Sequence, residues 1–280
     1  MKLSGIQNIN SYEWYDQSNK THNENFNTSL KEIDIRKLSL TDLPSPKSID
    51  FVVGSPPCTQ FSYSNRGGSG DINDGLVDIY KFFTIVEYLK PKYWVMENVP
   101  RVKGIINNLV DNHEEFKRFK KLMNFNDIVD SSEYGLPQKR LRMICGNFPY
   151  ELFLKYKTSC KQMNMKEVID SLNKDVIIDP TYGYKISKKE ITDHIKEKFL
   201  SPEERRINEE SKNYHPIYNK MNFPDLLTRP SRTITSTCTR VSRESIIIQE
   251  REKFRRLTIR EKGMLQGFPV NYEFYGTSYS

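Results

Sequence analysis

Short apolar runs punctuate a chain that is otherwise strongly polar. Residues 49–54 (IDFVVG), 93–96 (YWVM) and 142–146 (RMICG) are each too short for a helix and too apolar for a loop, which predicts buried strands of a parallel sheet. Between the first two, residues 76–89 (LVDIYKFFTIVEYL) carry apolar positions at helical spacing, and Lys90-Pro91 ends that helix. The turn-like Tyr134-Gly135-Leu136-Pro137 precedes the third run. Strand, helix and strand with polar residues at the strand ends predict an open α/β sheet, whose active site lies beyond the carboxyl ends of its strands.

From about residue 150 to residue 227 the pattern changes. Charged and polar residues dominate, and residues 188–206 alternate basic and acidic groups in a stretch that reads as solvated helix. A compact α/β pattern resumes at Arg229. The expected organisation is an α/β domain over 1–149, an inserted lobe over 150–228 and a return segment over 229–280.

Composition narrows the partners. Lys and Arg outnumber Asp and Glu by 43 to 36, a formal charge of +7 that suits a phosphate-rich partner. The four cysteines Cys58, Cys145, Cys160 and Cys238 form no C-x-x-C pair, and no His stands at metal-ligand spacing, so no metal site is expected. The start of the chain lacks the apolar run of a signal peptide, and no segment approaches the roughly 20 apolar residues of a membrane span. A cytoplasmic protein without membrane partner is expected.

Three short segments carry chemistry. Gly54-Ser55-Pro56-Pro57-Cys58 places a thiol at the end of a buried strand on a turn stiffened by two prolines, which aims a nucleophile. Taken alone, such a cysteine is more often a small buried hydrophobe. Glu97-Asn98-Val99 ends the next strand on the same edge, where burial can hold a carboxyl protonated; alone, it is more often an ordinary strand-end acid. Gln138-Lys139-Arg140-Leu141-Arg142 enters the third strand, and at strand spacing Gln138, Arg140 and Arg142 share one face. Paired guanidiniums can hold a phosphate and a base oxygen, or simply form a salt-bridged surface strand.

In combination, Pro-Cys, Glu-Asn-Val and Gln-x-Arg-x-Arg, in this order, resemble the signature of the DNA cytosine-5 methyltransferase family. The resemblance continues through Arg229-Pro230-Ser231-Arg232-Thr233-Ile234-Thr235, through 256–261 (RLTIRE) and through 265–269 (LQGFP). It implies a Rossmann-like S-adenosylmethionine-dependent methyltransferase sheet with a smaller inserted target-recognition lobe, acting on double-stranded DNA in a restriction–modification setting. Cys58 would add to C6 of a flipped cytosine, Glu97 would bond N3 and the exocyclic amine, Arg142 would hold the base oxygen, and Arg140 would order the catalytic loop or a phosphate. Gln138, Arg229, Thr233 and Thr235 would face the target base or the DNA. The Gly-rich stretch 66–70 is either a closing loop or a surface turn. Methylation of transfer RNA, known in one branch of the family, ranks lower, and no His is placed to make Cys58 a protease nucleophile.

The same resemblance assigns a cofactor strip for S-adenosylmethionine. Glu13-Trp14, with Asn25-Phe26 at matching spacing, implies a ribose-binding acid and an adenine-stacking aromatic. Asp34-Ile35 implies the adenine contact, and Ser55 and Pro56 border the methyl-bearing end. The chain departs from the family in lacking a Phe-x-Gly-x-Gly loop before Glu13, and in stopping at 275–278 (YGTS) short of the Gly-Asn-Ser/Ala motif. On that basis the expected alternative is a truncated or split enzyme, inactive alone and retaining at most DNA binding. The partner then expected is a complementing polypeptide carrying the first motif.

Overall fold

The computed structural model describes residues 5–7, 10–57, 60–61, 71–213, 221–235 and 239–275. Its internal contacts divide it into two compact units, Met1–Val129 with Leu141–Lys155 and Asp130–Arg140 with Tyr156–Ser280.

The first unit is built on a four-stranded sheet in the order β1 (Phe51–Gly54), β2 (Tyr93–Asn98), β4 (Leu141–Asn147), β3 (Phe125–Asp130). Strand β1 (Phe51–Gly54) pairs in parallel with β2 (Tyr93–Asn98), with Gly54 opposite Met96. Helix α2 (Ile72–Leu89) makes the crossover that parallel neighbours require. It begins four residues before the apolar periodicity, because the Asp71 side chain accepts the free amides of Asn73 and Asp74. It ends where Lys90 turns left-handed (φ 50°) ahead of Pro91. Ile79, Phe82, Phe83, Val86 and Leu89 bury one face of it, and the Phe83 ring lies edge-on to Trp94 of β2 at 5.6 Å. Each such side chain contributes about 1.5–3 kcal/mol on burial. A Cβ on Gly54 would stand 2.2 Å from the Phe82 ring, so glycine at the end of β1 is what lets α2 lie this close.

The third run does form a strand, β4 (Leu141–Asn147), but it is antiparallel to β2, with Glu97 opposite Ile144 and Asn98 opposite Met143. An apolar run reports burial and not direction. After β2 the chain passes through α3 (Arg101–Asn112), a short α4 (Glu114–Lys117) and β3 (Phe125–Asp130), and reaches β4 from the opposite end of the sheet. At the other side of the sheet β1 pairs, among the described residues, only with β2, and Val53 is 51% exposed.

Helix α1 (Asp16–Phe26) precedes this sheet, and α5 (Tyr150–Ser159) follows β4. The second unit contains α6 (Met165–Leu172), the hairpin β5–β6 (Val176–Ile178, Lys185–Ser187), α7 (Pro202–Asn213), the hairpin β7–β8 (Ile247–Glu250, Lys253–Arg256) and α8 (Ile259–Leu265). Met165, Val168, Ile169 and Leu172 of α6 share one core with Ile246, Ile248, Leu257, Met264, Leu265 and Val270. Compactness groups the return segment with residues 130–140 and 156–228.

Capping boxes start α6 (Asn164 with Glu167) and α8 (Thr258 with Glu261). Glu261 also takes two bonds of 2.8 Å from the Arg255 guanidinium, a pair only 1% exposed on each side. Residues 191–201 are not the solvated helix that their charges suggest. Glu197 pairs with Arg256 and Arg240, and Asp193 with Arg260 at 2.8 Å, so the acids strap an irregular segment onto the buried Arg256 and Arg260 and the partly buried Arg240. Among the described residues no helix is long and apolar enough to cross a membrane.

Candidate active site

In the first unit, three strands bring polar side chains to one edge of the sheet. β1 and β2 run in parallel and end there, and β4, being antiparallel, begins there. Alternation along β2 buries Trp94, Met96 and Asn98 on one face and leaves Tyr93, Val95 and Glu97 on the other. Glu97 and Asn98 consequently do different work.

The Glu97 carboxylate is held from two sides. Arg142 Nε reaches Oε1 at 2.8 Å, and Ser55 Oγ donates to Oε2 at 2.5 Å. The Arg142 and Glu97 side chains are only 20% and 33% exposed, so the pair is partly withdrawn from solvent screening. A second Arg142 nitrogen, Nη1, donates to the Leu141 carbonyl at 2.7 Å. Charge-assisted bonds of this kind are about twice as strong as neutral ones, and they fix the orientation of a carboxylate that would otherwise rotate.

Asn98 faces the other way and is 1% exposed. Its Nδ2 donates to the Pro56 carbonyl at 3.0 Å while its Oδ1 accepts the Val99 amide at 2.9 Å. This ties the end of β2 to the turn that leaves β1. Sequence reasoning singled out Glu97 but passed over Asn98; period-two alternation along β2, which turns Asn98 toward the buried face, was the available signal. Ser55, expected beside a cofactor, spends its hydroxyl on Glu97. Cys58, two residues beyond Pro56, lies outside the described residues, as do the Gly-rich stretch 66–70 and residues 276–278.

Of the expected cofactor residues, Glu13-Trp14 and Asp34-Ile35 come together in the first unit. Glu13 forms an isolated parallel bridge with Glu32, and Ile33 donates its amide to the Glu13 carbonyl at 2.9 Å, so Glu13-Trp14 and Asp34-Ile35 lie on adjacent extended segments. The Glu13 carboxylate accepts the Tyr15 amide at 2.8 Å through Oε1, and Trp14 is 64% exposed. Asp34 Oδ1 accepts the Arg36 amide at 2.9 Å, and Arg36 is clamped to α2 by Asp78 (2.7 Å) and Asp74 (2.8 Å). The Arg36 guanidinium holds the Asp74 carboxyl below the ordinary range.

In the second unit, residues 137–140 and 231–233 are laced together. Ser231 donates to the Pro137 carbonyl and Lys139 to the Ser231 carbonyl, each at 2.8 Å, and Thr233 Oγ1 donates to the Lys139 carbonyl at 3.1 Å. Gln138 and Ser231 thus face one another as a parallel bridge. Gln138 is only 1% exposed, and neither its amide oxygen nor its nitrogen has a partner among the described residues. Arg229 is exposed, Thr233 and Thr235 are partly buried, and Arg232 is paired with Asp225 at 2.7 Å. Continuous strand geometry does not run from 138 to 142. Strand β4 starts at Leu141, with Gln138 and Arg140 in the second unit and Arg142 in the first.

Comparison with known proteins gives one answer. The model of the C-5 cytosine-specific DNA methylase family matches residues 1–279. The Type II methyltransferase M.HindV of Haemophilus influenzae is 26% identical over 288 residues, covering 99% of this chain and 83% of that protein. The Type II methyltransferase M1.ScrFI of Lactococcus lactis subsp. cremoris is 26% identical, covering 90% of this chain and 61% of that protein. In fold, the chain is similar to an E. coli prophage-encoded protein described as a DNA modification methyltransferase (TM-score 0.64, 18% identity, 94% of this chain and 82% of that one). It is also similar to the S. pombe Dnmt2 methyltransferase (TM-score 0.59, 15% identity, 100% of this chain and 85% of that one). A methyltransferase fold, the strand-end polar cluster and a family match spanning nearly every residue converge: the chain belongs to the C-5 cytosine-specific DNA methylase family.

Proposed function

We propose that this chain methylates C5 of cytosine in double-stranded DNA, through a covalent adduct at Cys58, as the modification enzyme of a restriction–modification pair. The observation that carries the reading is the Glu97 carboxylate gripped by Arg142 and Ser55, on the same sheet edge as the turn that leads into Cys58. The Type II methyltransferase relatives support the modification role.

C5 of cytosine is a weak nucleophile until something adds at C6. The Cys58 thiolate forms the S–C6 bond, and the displaced electron pair makes C5 enamine-like. Glu97 bonds N3 and the exocyclic amine, offsetting charge as it develops on the ring. Arg142, already aligned on Glu97, offers its remaining N–H groups to the base oxygen, and Arg140 orders the loop or a phosphate. Loss of the C5 proton and departure of the thiolate then restore the enzyme. C6 is inaccessible in stacked DNA, so the base is flipped at a cost of a few kcal/mol. Residues 150–228 supply target recognition, with Arg229, Gln138, Thr233 and Thr235 at or behind the DNA-facing surface.

S-adenosylmethionine supplies the methyl group when bound. The strip formed by Glu13, Trp14, Asp34 and Ile35 suits it chemically. A carboxylate accepts from a ribose diol, an exposed indole offers a face to a purine, and the second acid accepts from an exocyclic amine. Ser55 and Pro56 border the reacting end.

A second reading, in which turnover needs a separate polypeptide, has one observation in its favour: β1 is a strongly apolar strand that, among the described residues, has no strand partner on one side, with Val53 half exposed. One assay separates the two. The purified chain is incubated with labelled S-adenosylmethionine and unmodified DNA, beside Cys58→Ser. Label on cytosine C5 from the parent alone supports the first reading and sinks the second. Label from Cys58→Ser refutes the covalent mechanism, and label on transfer RNA in preference to DNA refutes the substrate.

A further inference from the structure

Helix α7 contains an experiment in miniature. Arg206 and Glu210 stand four residues apart and close an ion pair at 2.9 Å, with Glu203 closing on the same guanidinium at 2.8 Å. Arg205 and Glu209 have identical spacing and form no ion pair. The difference lies in what Arg205 rests on. Its guanidinium carbon sits 4.4 Å from the centroid of the Phe254 ring, and Phe254 is stacked in turn on Phe223 at 5.5 Å and 20°. The far side of that column is closed by Lys212, fully buried, 5.5 Å from the Phe223 ring. Arg205 thus rests on the aromatic column, a contact that guanidinium groups favour, in place of an ion pair with Glu209.

The consequence is a guanidinium fork and a carboxylate, one helical turn apart, both without a hydrogen-bonding partner among the described residues. They line an open groove of about 490 Å³ whose other wall carries Lys253 and Phe199. Arg205 is exposed and Glu209 partly so. A phosphate in this groove would be drawn by Arg205 and Lys253, with Arg206 already paired to its own acids, but it would leave the Glu209 carboxylate, which also lines the groove beside Glu252, without a donor. A base pair suits both groups. Guanine presents two acceptors, O6 and N7, to a planar guanidinium fork, while the cytosine paired with it presents an N4 donor to a carboxylate. A 12-residue helix, about 18 Å long, is of a size the major groove admits.

We propose that Arg205 and Glu209 read one G·C base pair of the recognition sequence, Arg205 taking the guanine edge and Glu209 the cytosine amine. This rests on the DNA substrate named above and adds a position-specific reader to it.

The test is a binding selection. The full chain is offered duplexes randomised on both sides of a central cytosine, and bound sequences are read out, with methylated sites mapped in parallel. The parent should select G·C at one position or more. Arg205→Ala should lower that preference by about 5- to 150-fold at a single position, the range for losing one bidentate base contact. Glu209→Gln should weaken preference at the same position. Arg206→Ala, whose partner acids already occupy it, should leave every position as in the parent. Arg205→Lys keeps the charge but not the fork, so it should retain most affinity while losing discrimination; it carries the test if Arg205→Ala melts early. Unchanged preferences in Arg205→Lys and Arg205→Ala, or a parent without any G·C preference, would overturn the proposal. A parent that selects G·C through Arg205 yet transfers no methyl would sink the proposed function and leave this inference standing.

Discussion

Arg142 Nε lies 2.8 Å from Glu97 Oε1, a contact made possible because β4 enters the sheet at the edge where β2 leaves it. Had β4 run parallel to β2, its first residues would have stood at the far edge. The contact sets a demand on residue type. A lysine at position 142 keeps the charge, but its single nitrogen cannot reproduce the spread fork that puts Nε on Glu97 and Nη1 on the Leu141 carbonyl and leaves Nη2 for a base oxygen. Arg142→Lys is therefore expected to lose about 10- to 100-fold in kcat, with a thermal midpoint close to the parent's. Single-turnover kinetics beside a melting curve checks this; a kcat equal to the parent's would remove Arg142 from the reacting site.

Ser55 offers a sharper distinction. Its hydroxyl donates to Glu97 at 2.5 Å, whereas the family resemblance gives it to the cofactor. If its main task is to aim Glu97, Ser55→Ala should lower kcat by roughly tenfold, the effect of one charge-assisted bond of about 1.5 kcal/mol, with little change in KM for S-adenosylmethionine. The opposite split, a raised KM at constant kcat, would return Ser55 to the cofactor.

Much of this edge was legible in the amino-acid sequence, because short apolar runs ending in Ser55, in Glu97 and beginning near Arg142 locate strand ends whatever their direction. Direction was not legible: it depends on which end of the sheet the chain returns to, and hydrophobicity carries no such information. Charge pattern misled in residues 191–201. An alternation of Lys, Asp and Glu looks the same whether its partners are water or, as for Glu197 and Asp193, arginines elsewhere in the fold. Gln138 shows a third limit. Strand spacing put it on one face with Arg140 and Arg142, but the chain is not a continuous strand there, and its amide is buried opposite Ser231.

The cysteines should separate by reactivity. Burial pushes the Cys145 thiol up to about 12, and its sulfur sits 3.2 Å from Met123 Sδ. At pH 8 only about one in ten thousand such thiols is ionised, and the thiolate is the reactive form. Brief iodoacetamide treatment of the folded chain should label Cys58 and abolish methyl transfer while leaving Cys145 unmodified. Peptide mass spectrometry reads both sites; labelling of Cys145 at the rate seen in denaturant would contradict its burial.

Acid should loosen the second unit in a defined window. The Arg240 guanidinium, joined by the Ser201 amide, holds the Glu204 carboxyl down at about 2. A carboxyl depressed on folding contributes stability that is complete above its unfolded value, roughly 4.3, and is lost as pH falls toward the folded one. Urea unfolding at pH 6 and at pH 3 should therefore show a larger loss for the parent than for Glu204→Gln, which has no proton to take up. Equal losses would mean that the Arg240 pair does not distinguish the folded state from the unfolded one.

The shared core of α6 and α8 makes the most demanding prediction about how the chain is divided. Leu172 is fully buried, and the cluster it belongs to includes Leu257, Met264 and Leu265 from the return segment. Truncating a leucine in such a core costs about 2–5 kcal/mol. If residues 156–228 formed a separate folding lobe, that loss would be confined to them. With one core between them, Leu172→Ala should raise hydrogen exchange in α6 and in α8 by similar factors, because the opening that frees one exposes the other. Amide exchange read by mass spectrometry on peptides spanning 165–172 and 259–265 decides it. Acceleration in the first alone would show that the lobe opens independently and would support a boundary near residue 228. Acceleration in both would mean that a graft exchanging target recognition has to carry the α8 core with it.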